Sequence, residues 1–248
     1  MAEIFIKGNS LPECYHEALI ALSERSEEFP CPDYNTNQKE VSLTMEICDP
    51  LAEPMISRLF PGGYRELEQY RLEMLEGILD FEIELGNWEY TYHSRMAKQI
   101  PWLIDELKRN PYSRRAVIDI RDWVHDTAPG NDSPACLQHI QYFIRNGALH
   151  SKMLFRSNDG AKATFMNAFA LIMLQKKIAD ELGCAMGTYT HRANSFHCYE
   201  KDYPMLEGYV QRIRSGQEVT YDYEGDWKDL MEESRPEIEL QVEQLRSK

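Results

Sequence analysis

Hydrophobic and polar positions alternate in short blocks through the first sixty residues. Ile4 to Gly8 reads as a strand that ends at the glycine. Between Pro12 and Glu24, Tyr15, Ala18, Leu19 and Leu22 recur at helical spacing. Val41 to Ile47 alternates as a strand does. A longer helical pattern runs from Tyr64 to about Glu84, with Leu67, Tyr70, Met74, Ile78 and Phe81 on one face, and Gly86-Asn87 breaks it. The spacing predicts another helix over Gln99–Lys108, stopping before Asn110-Pro111.

The second half is richer in strands. Arg115 to Ile120 is β-branched enough for one, and a polar loop from Asp126 to Pro134 follows. Cys136–Ile144 and Leu149–Phe155 read as paired strands joined at Asn146-Gly147, a strong hairpin signal. Asn167–Leu182 has the clearest helical stripe, with Leu171, Leu174, Ile178 and Leu182 inward, and Gly187–His191 reads as a strand. The charged, amphipathic stretch after Pro236 is compatible with a helix or a frayed end. With no repeat, low-complexity run or linker, residues 1–248 read as one α+β domain.

Composition narrows the function. A formal net charge of −14 repels nucleic acid and anionic lipid, so DNA and membrane are not expected partners. Local arginines can still hold an anionic small molecule. The six cysteines form no CxxC pair, so no metal site is expected. The N-terminus lacks the apolar core of a signal peptide, no apolar run approaches the roughly 20 residues of a membrane span, and free thiols suit a reduced cytoplasm.

Candidate chemistry starts at Cys136. A lone cysteine is more often a small buried hydrophobe than a nucleophile. This one ends a polar loop and opens a strand, and Arg156 follows twenty residues later across the hairpin, where its charge would favour the attacking thiolate. Arg114 and Arg115 read as a solvated pair or, with Arg156, as a phosphate-gripping cluster. Asn167 reads as a helix N-cap or as an amide facing a pyrimidine edge. His197 and Tyr199 alternate on one face, as a half-buried strand or as ligands of a sugar hydroxyl.

The ordered set Ser113-Arg114-Arg115, Pro134-Ala135-Cys136, Gln141-Tyr142, Arg156 to Asp159, Asn167, and His197-x-Tyr199 resembles the thymidylate synthase family, which includes the pyrimidine nucleotide hydroxymethylases. The resemblance runs from about residue 64 to 203. It implies a thymidylate synthase-like fold whose mixed or antiparallel sheet forms a homodimer interface, flanked by helices. It implies 5,10-methylenetetrahydrofolate as co-substrate and a pyrimidine nucleoside monophosphate as acceptor.

Residue by residue, the resemblance makes Cys136 the nucleophile that adds to carbon 6 of the base. Arg156 and Ser157 become phosphate ligands, joined by Arg114 and Arg115 from the second subunit. Gln141 matches the glutamine that follows the nucleophile on its strand. Asp159 matches the aspartate that helps hold the folate, Asn167 the base reader, and His197 and Tyr199 the ligands of the 3′-hydroxyl. Tyr92 resembles the tyrosine of a tyrosine-glycine motif. Glu66, with Glu68 as the lesser candidate, resembles the glutamate that moves protons through water.

Several family features differ. Leu137 stands where a histidine is usual and His93 where a glycine is, and only Trp88 remains of a tryptophan-rich insertion. The arginine-rich N-terminal phosphate loop is not evident, with Arg25 or Arg58 as substitutes, and the C-terminal end is charged where an apolar tail is usual. Asn167 suits uracil, so the leading expectation is dUMP converted to dTMP. The alternative is hydroxymethylation of dUMP, dCMP or CMP. A further alternative is a nucleotide-binding dimer without turnover.

Overall fold

A computed structural model describes residues 1–247. In chain order the elements are β1 (Glu3–Gly8), α1 (Leu11–Arg25), β2 (Glu27–Cys31), β3 (Thr36–Ile47), β4 (Ile56–Ser57), α2 (Tyr64–Glu76), α3 (Phe81–Glu84), α4 (Tyr92–Met96) and α5 (Ile100–Arg109). There follow β5 (Val117–Asp119), α6 (Trp123–Asp126), β6 (Leu137–Arg145), β7 (Ala148–Asp159), α7 (Thr164–Leu182), β8 (Ala185–Tyr199), α8 (Tyr203–Arg214), β9 (Thr220–Tyr221) and α9 (Lys228–Arg246).

Among the described residues the main sheet has seven strands, in the order β1-β3-β8-β7-β6-β5, with β2 also on β3. It is mixed: β1/β3 and β7/β8 are parallel, and β2/β3, β3/β8, β5/β6 and β6/β7 are antiparallel. The α+β class is as expected.

Helix α7 is buried against β7 and β8 and packs on α1, α2 and α5. It buries Phe165, Phe169, Leu171, Ile172, Leu174 and Ile178, each of which contributes about 1.5–3 kcal/mol relative to exposure. Gln175, fully buried, fixes the helix along the sheet. Its Oε1 accepts from Ser151 Oγ at 2.6 Å, and its Nε2 donates to the Leu149 carbonyl at 2.7 Å. Both ends of the amide are satisfied, so the polar group is tolerated inside and sets a register.

Three expectations need correction. The helix from Tyr64 ends at Glu76, not Glu84, because Gly77 turns left-handed at φ 66°. A Cβ there would also stand 2.1 Å from His93 Nδ1, so glycine is required on both counts. The short α3 then restarts the pattern. Helix α7 starts at Thr164, so Asn167 lies inside its first turn and is not its N-cap. The strand expected over Gly187–His191 and the extended segment carrying His197 are one strand, Ala185–Tyr199. Of the two alternatives left open for the stretch after Pro236, the helix is found, and it starts earlier, with that proline inside α9.

Candidate active site

Topology brings the chemistry to one end of the sheet. β7 and β8 run parallel, so their C-terminal ends coincide, with Ser157 opposite Ser195 and Asp159 opposite His197. β6 runs antiparallel to β7, so its start, just after Cys136, lies beside that same end. β3 is antiparallel to β8, which places the β2–β3 hairpin there as well, with Gln38 opposite Tyr199. α7 leaves from the end of β7 and offers Asn167 from its first turn.

The result is a cavity of about 480 Å3 whose walls include Cys136, Arg156, Ser157, Asn167, His197 and Tyr199. Seven of the candidate site residues named from the sequence therefore meet, Tyr92 being the seventh. Cys31, Asp33, Tyr34 and Gln38 of the hairpin join them, and no motif in the sequence marked these four. Tyr34 packs its ring on Tyr199, with centroids 5.2 Å apart.

The nucleophile's loop is held by the arginine itself. Arg156 Nε donates to the Ala135 carbonyl at 3.0 Å and Nη2 to the Pro134 carbonyl at 2.7 Å. Burial pushes the Cys136 thiol up, and the Arg156 charge opposes that only in part. The Arg156 charge thus favours the thiolate, the direction read from the sequence, but desolvation outweighs it.

His197 Nδ1 lies 3.3 Å from Ser157 Oγ and 3.4 Å from the Ser195 carbonyl, while its Nε2 is buried with no partner among the described residues. Burial pulls its pKa below the ordinary value, against the pull of Asp159. A buried, unpartnered imidazole nitrogen costs free energy that a hydrogen-bond partner would offset.

A second cavity, about 420 Å3, adjoins the first and shares Tyr70 and Tyr92 with it. Met74, Leu79, Trp88 and Tyr90 give it an apolar and aromatic lining, and Glu73, Asn87 and Glu89 add polar edges. Tyr92 opens α4, and its hydroxyl accepts from the Leu137 backbone N–H at 3.3 Å, which sets the phenol beside the nucleophile. Burial pushes the Tyr92 hydroxyl far up, and Cys136 adds to the effect. It stays a protonated donor.

Other candidates sit elsewhere. Glu66 caps α2 through Gly63 N–H, 2.7 Å away, and is exposed. Glu68 is buried in an ion pair with Arg71 and Arg235. Neither is in the lining of the two cavities just described, so the structure does not bring Glu66 or Glu68 to Cys136 and Asn167. A half-buried carboxyl of the same helix that does line one is Glu73, one turn beyond Tyr70 on the same face. Burial pushes its carboxyl above the usual range, and its bond from Gln69 Nε2, 2.9 Å, offsets this only in part. The period through Leu67, Tyr70 and Met74 carried that signal, because Glu73 shares their side of the helix.

Asp159 also stands apart from both linings. Its Oδ1 accepts from the backbone of Ala161 at 3.1 Å and Lys162 at 2.9 Å, which shapes the entry to α7. Gln141 donates to the Arg114 carbonyl at 3.0 Å, so it braces that segment and does not face the cavity of its own chain. Arg114 and Arg115 are exposed and outside that cavity, as are Arg25 and Arg58. Arg156 is the one Lys or Arg in the cavity wall among the described residues. No group of three or more His, Cys, Asp or Glu among the described residues is arranged to hold a metal ion. Among the described residues no helix is long and apolar enough to cross a membrane.

The sequence profile of thymidylate synthase matches residues 73–241. A provisionally named thymidylate synthase from Methanocaldococcus jannaschii is 32% identical over 212 residues, spanning 82% of this chain and 95% of that protein. Thymidylate synthase of Bacillus licheniformis is 29% identical over 152 residues, 60% of this chain and 53% of that protein. The solved thermostable thymidylate synthase A from Bacillus subtilis shares the fold, with a TM-score of 0.64 at 17% identity over 82% of this chain and 84% of that one. The chain belongs to the thymidylate synthase family and is a folate-dependent one-carbon transferase.

Proposed function

We propose that the chain converts dUMP to dTMP, with methylenetetrahydrofolate as the one-carbon donor and Cys136 as the nucleophile. One observation carries the reading: Cys136, Arg156 and Asn167 line one cavity, and an aromatic cavity adjoins it across Tyr70 and Tyr92. Two substrates held side by side gain the effective molarity that a free collision lacks.

Each residue then has a role. The Cys136 thiolate adds to carbon 6 of the base, and electron density moves to carbon 5. Arg156 and Ser157 hold the phosphate. Asn167 reads the 4-oxo edge, and His197 Nε2 and Tyr199 meet the 3′-hydroxyl. Glu73, in place of Glu66, shuttles protons at the carbon-5 side, where a raised carboxyl pKa suits both giving and taking. Asp159 acts as a positioning residue. The folate supplies the carbon and, in full methylation, the hydride. The planar lining of Trp88, Tyr90 and Tyr92, with Glu73 and Asn87 at its edges, fits a pterin and its polar rim.

The phosphate argues for a second subunit. A dianion beside a single arginine and Asp33 is under-neutralised, and Arg114 and Arg115 are exposed and available to a twin chain. We infer a homodimer in which each subunit lends both arginines to the other.

Hydroxymethylation is the second reading. Trp88, in the lining of the aromatic cavity, is 43% exposed, and that open edge favours a site that admits water. One incubation with methylenetetrahydrofolate and dUMP, dCMP or CMP in parallel tests both readings. dTMP with dihydrofolate supports methylation. A 5-hydroxymethyl nucleotide with tetrahydrofolate supports the second reading. No turnover with tight nucleotide binding would favour a silent dimer.

A further inference from the structure

Two observations meet at Tyr70. Its ring lines both cavities, and its hydroxyl donates to Asn167 Oδ1. Among the described residues the hydroxyl has no other polar partner.

An asparagine amide is nearly symmetric in shape and opposite in chemistry at its two ends. In one rotation Nδ2 donates to the 4-oxo group of uracil, and Oδ1 takes the N3 proton on its second lone pair. Turned over, the same side chain accepts from the 4-amino group of cytosine and donates to N3. The residue type therefore leaves the base open; the rotation decides it.

We infer that Tyr70 sets the choice of uracil over cytosine by holding the Asn167 amide in the rotation that leaves Nδ2 free for the base. The inference rests on the Cys136 cavity being a pyrimidine nucleotide site. Turning the amide over would set Nδ2 against the phenol and strand its proton without its acceptor. Burial pushes the Tyr70 hydroxyl well above the ordinary phenol range, so it remains a donor at every working pH. The fold keeps the pair in place: Tyr70 is on α2, Asn167 is in the first turn of α7, and the two helices pack together.

The test measures dUMP and dCMP affinity and carbon-5 hydrogen release for the full chain and for Tyr70→Phe. The wild type should prefer dUMP. Tyr70→Phe should lower the dUMP:dCMP ratio about tenfold, equivalent to about 1.4 kcal/mol. In an Asn167→Ala background the same change should leave the ratio untouched, since Tyr70 acts through that amide. A purely structural role would weaken both nucleotides alike. If the phenylalanine variant does not fold, Tyr70→Leu removes the same hydroxyl and gives the same readout. A ratio unchanged within twofold, or a wild-type preference for dCMP, overturns the inference and leaves the nucleotide site standing. Wild type binding neither nucleotide overturns the reading of the cavity as well.

Discussion

The backbone N–H of Arg156 donates to the carbonyl of Cys136 at 2.8 Å, and the arginine's side chain turns back to the two carbonyls preceding that cysteine. Nucleophile and cation are thus one rigid unit. Arg156→Ala removes two charge-assisted, part-buried bonds to backbone carbonyls, so it should destabilise the chain by about 2 kcal/mol. Chemical denaturation of the two proteins checks this. Arg156→Lys cannot fork to both carbonyls and should recover less than half of the loss.

The Cys136 thiol also has a pH signature. Burial holds its pKa above the usual thiol range, and Arg156 lowers it only in part. The thiolate is the reactive form, so iodoacetamide labelling of Cys136 should rise with pH and not level off below about pH 8.5. Arg156→Ala should move the curve further up. A plateau near neutrality would show that the thiolate forms without help.

Glu73 and Glu66 separate cleanly. Glu73→Gln should cut kcat by about a hundredfold or more, the usual worth of a positioned acid or base, with nucleotide affinity kept. Glu66→Gln should change kcat less than threefold and cost at most about 1 kcal/mol of stability, as a lost cap does. Steady-state kinetics and thermal melts of both variants decide it.

Much of this was legible in the residues, and the misses have local causes. The hairpin at Asn146-Gly147 and the stripe through Leu171, Leu174 and Ile178 are short-range patterns, and both hold in the structure. Gly77 ended a helix whose apolar period continued past it, because backbone sign and the nearness of His93 outrank periodicity there. Pro236 lies inside α9 although proline disfavours a helix interior; Arg235, beside it, is tied to buried Glu68 on α2. Cys31, Asp33, Tyr34 and Gln38 reach the cavity only because β3 runs antiparallel to β8, and that pairing is invisible in one strand's own sequence.

The shared-site dimer predicts complementation. Cys136→Ser alone and the Arg114→Ala/Arg115→Ala pair alone should each be nearly inactive. Refolded together, they should regain activity, since each mixed dimer would hold one intact site. No recovery from a mixture that forms mixed dimers would put the phosphate-binding arginines elsewhere.

Acid should destabilise the fold through two imidazoles, buried His191 and half-buried His16. Burial pulls His16 down to about 4 and His191 down to about 3. Their folded pKa values lie below the unfolded value near 6.5, so the unfolded chain binds more protons as pH falls. Below about pH 6.5 each should remove up to about 1.4 kcal/mol per pH unit, until its folded pKa is reached. Urea midpoints at pH 7.5, 6 and 5 should fall in that order, and His16→Gln should flatten the slope.

The most direct test of the central claim is tritium release from dUMP labelled at carbon 5, in the presence of methylenetetrahydrofolate. The account predicts release to water by the wild type and none by Cys136→Ser. Release that survives the loss of this sulfur would contradict it.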